Sequence, residues 1–113
     1  MPKKILIPLH ENDVAPRFDL ATEVLVVKRG KGTRNPEERI LILPHPSSEE
    51  LCHLIMTEGV DTVICGGIEE EYYDYLIWKK VQVLDNVIGP SREVLKRYCR
   101  GRLKSGDILH PPG

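Results

Sequence analysis

Val60-Asp61-Thr62-Val63-Ile64-Cys65-Gly66-Gly67 is the stretch that decides the fold. Residues 60–65 are rich in β-branched side chains and end in two glycines, so they read as a strand closed by a tight turn. A helix is expected on each side. Upstream, Ser47 and Glu50 form a capping box, which satisfies free backbone N–H groups at a helix start. Leu51, Leu54, Ile55 and Glu58 follow at helical spacing, and Gly59 is a natural stop. Downstream, residues 69–79 read as a second helix with Ile68, Tyr72, Leu76 and Ile77 on its inner face. A short strand at 81–84, a loop at 85–89 and a third helix follow. Pro90 suits that helix's first turn, Val94, Leu95 and Tyr98 face inward, and Gly101 ends it. Helical crossovers make the strands they join parallel, and the crossover right-handed.

The first half has a different grammar. Residues 3–9 carry the apolar run Ile5, Leu6, Ile7 and Leu9, which predicts a first strand. A polar loop spans 10–17. Val24-Leu25-Val26-Val27 marks a second strand over 23–29, a plain turn is expected at 30–36, and a third strand over 39–43 closes at Pro44-His45-Pro46. Short polar connections between these strands favour an antiparallel meander. The first strand is the most apolar and belongs at the centre. The expectation is an α/β protein: a five-stranded mixed sheet of order 3-2-1-4-5, covered by about three helices. Residues 1–104 form one domain, and 105–113 form a tail with one apolar pair, Ile108-Leu109, before Pro111-Pro112-Gly113.

Composition narrows the class. A chain of 113 residues, 41% hydrophobic, suits one domain with one real core. Charged residues make up 29%, yet the net charge is -1, so no global field draws the protein to nucleic acid or an acidic membrane. No segment approaches the roughly 20 apolar residues of a membrane span. Met1-Pro2-Lys3-Lys4 and the short apolar run after it do not make a signal peptide, so a cytoplasmic location is expected. Cys52, Cys65 and Cys99 are odd in number and form no Cys-x-x-Cys clip. That argues against a disulfide framework and a local zinc site, and predicts Cys52 and Cys99 to be buried free thiols.

In this topology strands one, four and five send their C-terminal ends to one sheet edge. The loops at 10–17, 65–69 and 85–90 should converge there. Ligands of open α/β sheets bind at such switch points. His10 offers an imidazole, Arg17 a fork of donors for an anion, Cys65 a thiolate, and Gly66-Gly67 a close backbone approach. Each residue also has a plainer reading. Gly66-Gly67 can serve only as a tight turn, Cys65 can pack, and Arg17 can pair with Glu11, Asp13 or Asp19. His45, His53 and His110 read as surface residues. Glu69-Glu70-Glu71 at the second helix start would repel a phosphate.

Three blocks resemble the dinitrogenase iron–molybdenum cofactor biosynthesis family. They are Ile7-Pro8-Leu9 with Val14-Ala15-Pro16-Arg17-Phe18-Asp19, then Gly59-Val60-Asp61-Thr62-Val63-Ile64-Cys65-Gly66-Gly67-Ile68, then Asp85-Asn86-Val87-Ile88-Gly89. The resemblance implies a ribonuclease H-like fold and a non-catalytic carrier or accessory protein. Its cargo would be an iron–sulfur or iron–molybdenum cofactor-type cluster, or a precursor, and its partners cluster-assembly proteins. It carries His10, Arg17, Cys65, Gly66, Gly67 and Gly89 over as the binding edge, with His10 and Cys65 as the metal ligands; imidazole and thiolate suit iron and its sulfide clusters. Where family members continue with Gly-Pro or small residues after Ile68, this chain has Glu69-Glu70-Glu71. Nuclease chemistry is not expected, because residues 3–9 hold no carboxylate. Two other readings stand beside this one. One is a metal-free regulatory domain that binds a partner through Tyr72, Tyr73 and Tyr75. The other is an enzyme on a small anionic metabolite, with His10 and Glu11 or Asp13 as an acid–base pair.

Overall fold

The computed structural model describes residues 3–30 and 36–110. Most of the turn expected at 30–36, the N-terminal Met1-Pro2 and Pro111-Pro112-Gly113 lie outside the described residues. The first strand, β1 (Lys3–His10), is apolar at consecutive positions because both of its faces are covered. Leu6 points to one layer with Val24, Val26 and Val63; Ile5, Ile7 and Leu9 point to the other with Leu25, Val27 and Ile64. The other main strands are β3 (Glu23–Arg29), β4 (Glu37–Ile42), β5 (Thr62–Ile64) and β6 (Gln82–Leu84). β1 pairs antiparallel with β3 and parallel with β5, and β5 pairs parallel with β6. The path is β4-β3-β1-β5-β6.

The mixed α/β sheet is as expected, but its strand order departs from the five-strand prediction by a sixth strand. β2 (Asp13–Val14) folds back antiparallel onto β1, pairing Leu9 with Val14 and His10 with Asp13. The reason is a length mismatch. β1 runs to His10 while β5 stops at Ile64, so the edge of β1 facing β5 is bare at its end. Part of the polar segment predicted as a loop supplies the missing ladder. A short 3-10 turn over Phe18–Leu20 then drops Phe18 into the core at 1% exposure.

Three helices cover the sheet. α1 (Ser48–Thr57) and α2 (Glu70–Trp78) pack Leu51, Cys52, Ile55 and Leu76 on one face. α3 (Ser91–Cys99) packs Val94 and Leu95 on the other. The Ser47 side chain accepts the Glu50 N–H at 3.1 Å. The Glu50 carboxylate turns to His45 Nε2 at 3.3 Å instead of completing the capping box. All three helices end alike. Val60, Val81 and Arg102 donate their N–H groups to Ile55, Leu76 and Arg97, while Gly59, Lys80 and Gly101 donate to Met56, Ile77 and Tyr98. This is the Schellman closure, with Gly59, Lys80 and Gly101 at positive φ.

Two packing expectations fail. Ile77 is 44% exposed, because the register that buries Leu76 turns its neighbour to solvent; Tyr72 and Tyr73 pack beside the core instead. Cys99 is exposed, since α3 buries the side holding Val94 and Leu95 and residue 99 falls off it. The described part of the tail packs: Leu109 is buried, and Ile108 bridges to Ile88.

β4 is the sheet's end strand. Its Arg39 donates to Glu58 Oε1 at 2.6 Å, and Lys4 Nζ lies 3.4 Å from the same oxygen. The Arg39 hydrogen bond is the largest cause holding the Glu58 carboxyl below its ordinary value of 4.5. A carboxyl whose folded value lies below its unfolded one stabilises above the unfolded value, and loses that contribution as pH falls through the folded one. An Arg39→Gln variant is therefore expected to lose stability at neutral pH and to show a shallower decline on the acid side. Urea unfolding midpoints measured from pH 7 to pH 3 check this.

Candidate functional site

The three predicted loops do meet at one edge, and they meet by closing on each other. Val14 N–H donates to the Gly89 carbonyl at 3.0 Å, Ser91 N–H to Asn12 O at 2.9 Å, and Asn86 N–H to Gly66 O at 2.9 Å. Gly67 N–H donates to Pro16 O at 2.8 Å, and Phe18 N–H to Gly67 O at 2.8 Å. The crevice where a switch-point ligand would sit is thus laced with backbone. The Gly67 N–H, expected to face a ligand, is already taken.

Gly66 is required by this closure. A Cβ there would stand 2.5 Å from Pro16 O and 2.8 Å from Pro16 C. Both are backbone atoms that cannot swing aside. Gly89 plays a similar part, with φ +141 and a Cβ position 2.9 Å from the Leu109 Cβ. Of the alternatives for Gly66-Gly67, the tight turn is what the geometry builds.

Cys65 faces the core at 0% exposure, among Leu6, Phe18 and Val63. Burial first, and then the nearby Asp85 charge, push its thiol up to about 12. At neutral pH it stays protonated, and a thiol is a poor ligand and nucleophile. Burial likewise raises Cys52 to about 11. The exposed Cys99 is expected to react with a disulfide reagent under native conditions while Cys52 and Cys65 stay silent. Counting thiols spectrophotometrically should give one fast equivalent per chain, and all three in denaturant.

His10 and Arg17 come together in a cavity of about 370 Å³, lined also by Pro16, Leu20, Ala21 and Thr22. His10 ends β1 and is exposed. Arg17 forks onto Asp19, with Nε to Oδ1 at 3.0 Å and Nη2 to Oδ2 at 2.7 Å. That fork fixes the guanidinium plane and leaves Nη1 unengaged among the described residues. The exposed Leu20, 58% accessible, gives the cavity an apolar lip. Leu20, Ala21 and Thr22 had no motif to announce them; a leucine stranded between Asp19 and a strand start was the only signal. Among the described residues no side-chain hydrogen bond joins His10 to Glu11 or Asp13, whose link to His10 is the backbone ladder of β1 and β2, so no preformed acid–base pair stands there.

A resident metal–sulfur cluster would need several ligating side chains around this cavity. Among the described residues, no group of three or more His, Cys, Asp and Glu side chains lies close enough to hold a metal. Cys65 is fully buried and does not line the cavity that holds His10. The residues do not fit a ligated, permanent cluster. No described helix is long and apolar enough to cross a membrane.

Comparison with known proteins gives the fold. No family model matches the chain, and no curated protein matches it. Among solved structures, the protein PH0822 superposes with a TM-score of 0.78 at 22% identity, over 90% of this chain and 93% of that one. A Methanocaldococcus jannaschii protein provisionally described as a dinitrogenase gives 0.73 at 19% identity, over 92% and 94%. A Thermotoga protein provisionally described as NifB and placed in the DUF35 family gives 0.63 at 18% identity, over 98% and 99%. At these identities what is shared is the fold, over nearly the whole of each chain.

Proposed function

We propose that this chain is a non-catalytic accessory or carrier protein, and that its cargo docks as an anion in the His10–Arg17 cavity. The observation that carries this reading is the pairing of an exposed imidazole with a guanidinium held in plane by Asp19, in one open cavity beside the closed loops. The cargo class is an iron–sulfur or iron–molybdenum cofactor-type cluster, or a precursor. The resemblance of the three sequence blocks supports it, as do the descriptions of two fold neighbours. The same features support a ribonuclease H-like reading of the sheet and cytoplasmic partners that assemble clusters.

The chemistry suits transit more than storage. Sulfide clusters are compact anions, which a guanidinium attracts and a neutral imidazole ligates reversibly. Buried thiolates would hold such a cargo permanently. With Cys65 withdrawn into the core, only exchangeable contacts remain at the surface. Tetrathiomolybdate, a molybdenum–sulfur dianion, is a direct probe. Equilibrium dialysis should show saturable binding that weakens at least about tenfold, or 1.4 kcal/mol, in His10→Gln and in Arg17→Gln. Cys65→Ala should bind as the parent does. Loss of binding only in Cys65→Ala would overturn the docking mode, and no binding by the parent would overturn the cargo class.

One observation favours a second reading, a metal-free interaction domain. Trp78 is 71% exposed on α2, with Lys79 Nζ 4.7 Å above its ring and Tyr75 beside it. A protein that captures no metal–sulfur anion and loses a partner on Trp78→Ala would fit that reading instead.

A further inference from the structure

The net charge of -1 conceals two faces of opposite sign. On the α1/α2 side, Glu49, Glu50, Glu69, Glu70, Glu71 and Asp74 are all exposed. On the α3 side, residues 91–104 carry six basic residues and one acid. Four of those cations gather at one place: Lys96, Arg97, Arg100 and Arg102 line a cavity of about 220 Å³ with Glu93 and Leu109. From the geometry we infer that this cavity is a binding site for a compact phosphorylated ligand, of the pyrophosphate or nucleoside diphosphate class.

Positions 93, 96, 97 and 100 form one stripe of a helix, opposite the buried Val94 and Leu95. Like charges stacked along such a stripe repel, and a bound anion would relieve them. Glu93 neutralises only Lys96, at 3.6 Å. Among the described residues Arg97, Arg100 and Arg102 pair with no carboxylate.

Capping the helix does not explain the cluster. Cations near a helix C-terminus commonly satisfy its last carbonyls. Here Arg102 N–H donates to Arg97 O at 3.0 Å and Gly101 N–H to Tyr98 O at 2.9 Å, so the backbone closes this end itself. That closure carries Arg102 back beside Arg97 and Arg100. The far wall is fixed too, because Leu109 N–H donates to Ile88 O at 2.8 Å.

The ligand class follows from the lining. Planar guanidinium forks match phosphate oxygens in pairs, which a lone ammonium cannot do. Five of the six lining residues are charged and none is aromatic, so nothing there offers a platform for stacked bases, as a single-strand binder would need. The cavity is a spot at one helix end and not a track along a backbone.

Calorimetry at low ionic strength tests the inference, using inorganic pyrophosphate, ADP, adenosine and single-stranded RNA of two lengths. Pyrophosphate and ADP should bind and adenosine should not. The exposed double variant Arg97→Gln/Arg100→Gln, confirmed folded by its melting curve, should bind pyrophosphate at least about tenfold more weakly. Amide shifts on titration should centre on residues 96–102 and 109. Any of four results would overturn the inference: no pyrophosphate binding, undiminished binding in the double variant, shifts centred on residues 10–22, or RNA binding tighter than pyrophosphate and growing with length.

Discussion

Gly66→Ala is expected to cost about 3 kcal/mol, the upper end of what overpacking a well-ordered site costs. The new methyl would meet the carbonyl of Pro16 at 2.5 Å, and neither partner is a side chain able to rotate away. The strap formed by Gly67 N–H to Pro16 O and Phe18 N–H to Gly67 O would have to open. For a domain of this size the melting midpoint should fall by roughly 15 °C. Gly67→Ala is the control. Its nearest neighbour, the same oxygen, is 3.4 Å away, and the expected loss is under about 1 kcal/mol. Calorimetric melting of the pair checks the claim, which fails if the two variants melt together.

Phe18→Ala should be the other large effect, at about 3–5 kcal/mol for emptying a fully buried aromatic site. Phe18 is 1% exposed and packs in the layer of Leu6, Leu51 and Cys65. It is also the anchor of the segment that walls the His10–Arg17 cavity. The expectation is therefore twofold. Stability falls in urea unfolding, and amide exchange at residues 17–22 speeds up by more than the global loss explains. Uniform acceleration across the sheet would show that Phe18 stabilises the core without holding the cavity wall.

Those two residues also show how much of the molecule was legible in the sequence. Alternation between helix and strand after residue 47 exposed the crossover half, and short polar connections exposed the meander half. Period, capping residues and glycine stops are local signals, so Ser47, Gly59 and Gly101 could be placed by inspection. β2 could not. It exists because β1 outlasts β5 by several residues, and relative strand length is a tertiary fact. The misreading of Ile77 has the same origin: Leu76 and Ile77 are equally apolar, and only packing decides which one is buried.

The meeting of the loops was legible, and the groups they present were not. Topology brings the loops at 10–17, 65–69 and 85–90 to one edge, as the strand order requires. What the residue types concealed was direction. Cys65 directly follows the buried strand β5, and which way such a residue points depends on a register of one. Gly66-Gly67 looks the same in sequence whether its N–H groups face a ligand or a neighbouring strap. The cationic stripe of α3 was hidden differently. Charge totals cancelled it, and only the spacing 93, 96, 97, 100 could have exposed it.

The claim at the centre is that the loops seal the switch point with backbone, so that a ligand docks beside it at His10 and Arg17 without using Cys65. A titration of isotope-labelled protein with tetrathiomolybdate, followed by amide chemical shifts, tests this most directly. Saturable shifts at residues 10, 17 and 20–22, retained in Cys65→Ala, are predicted. Shifts centred on 65–67 and 85–89, abolished in Cys65→Ala, would contradict it.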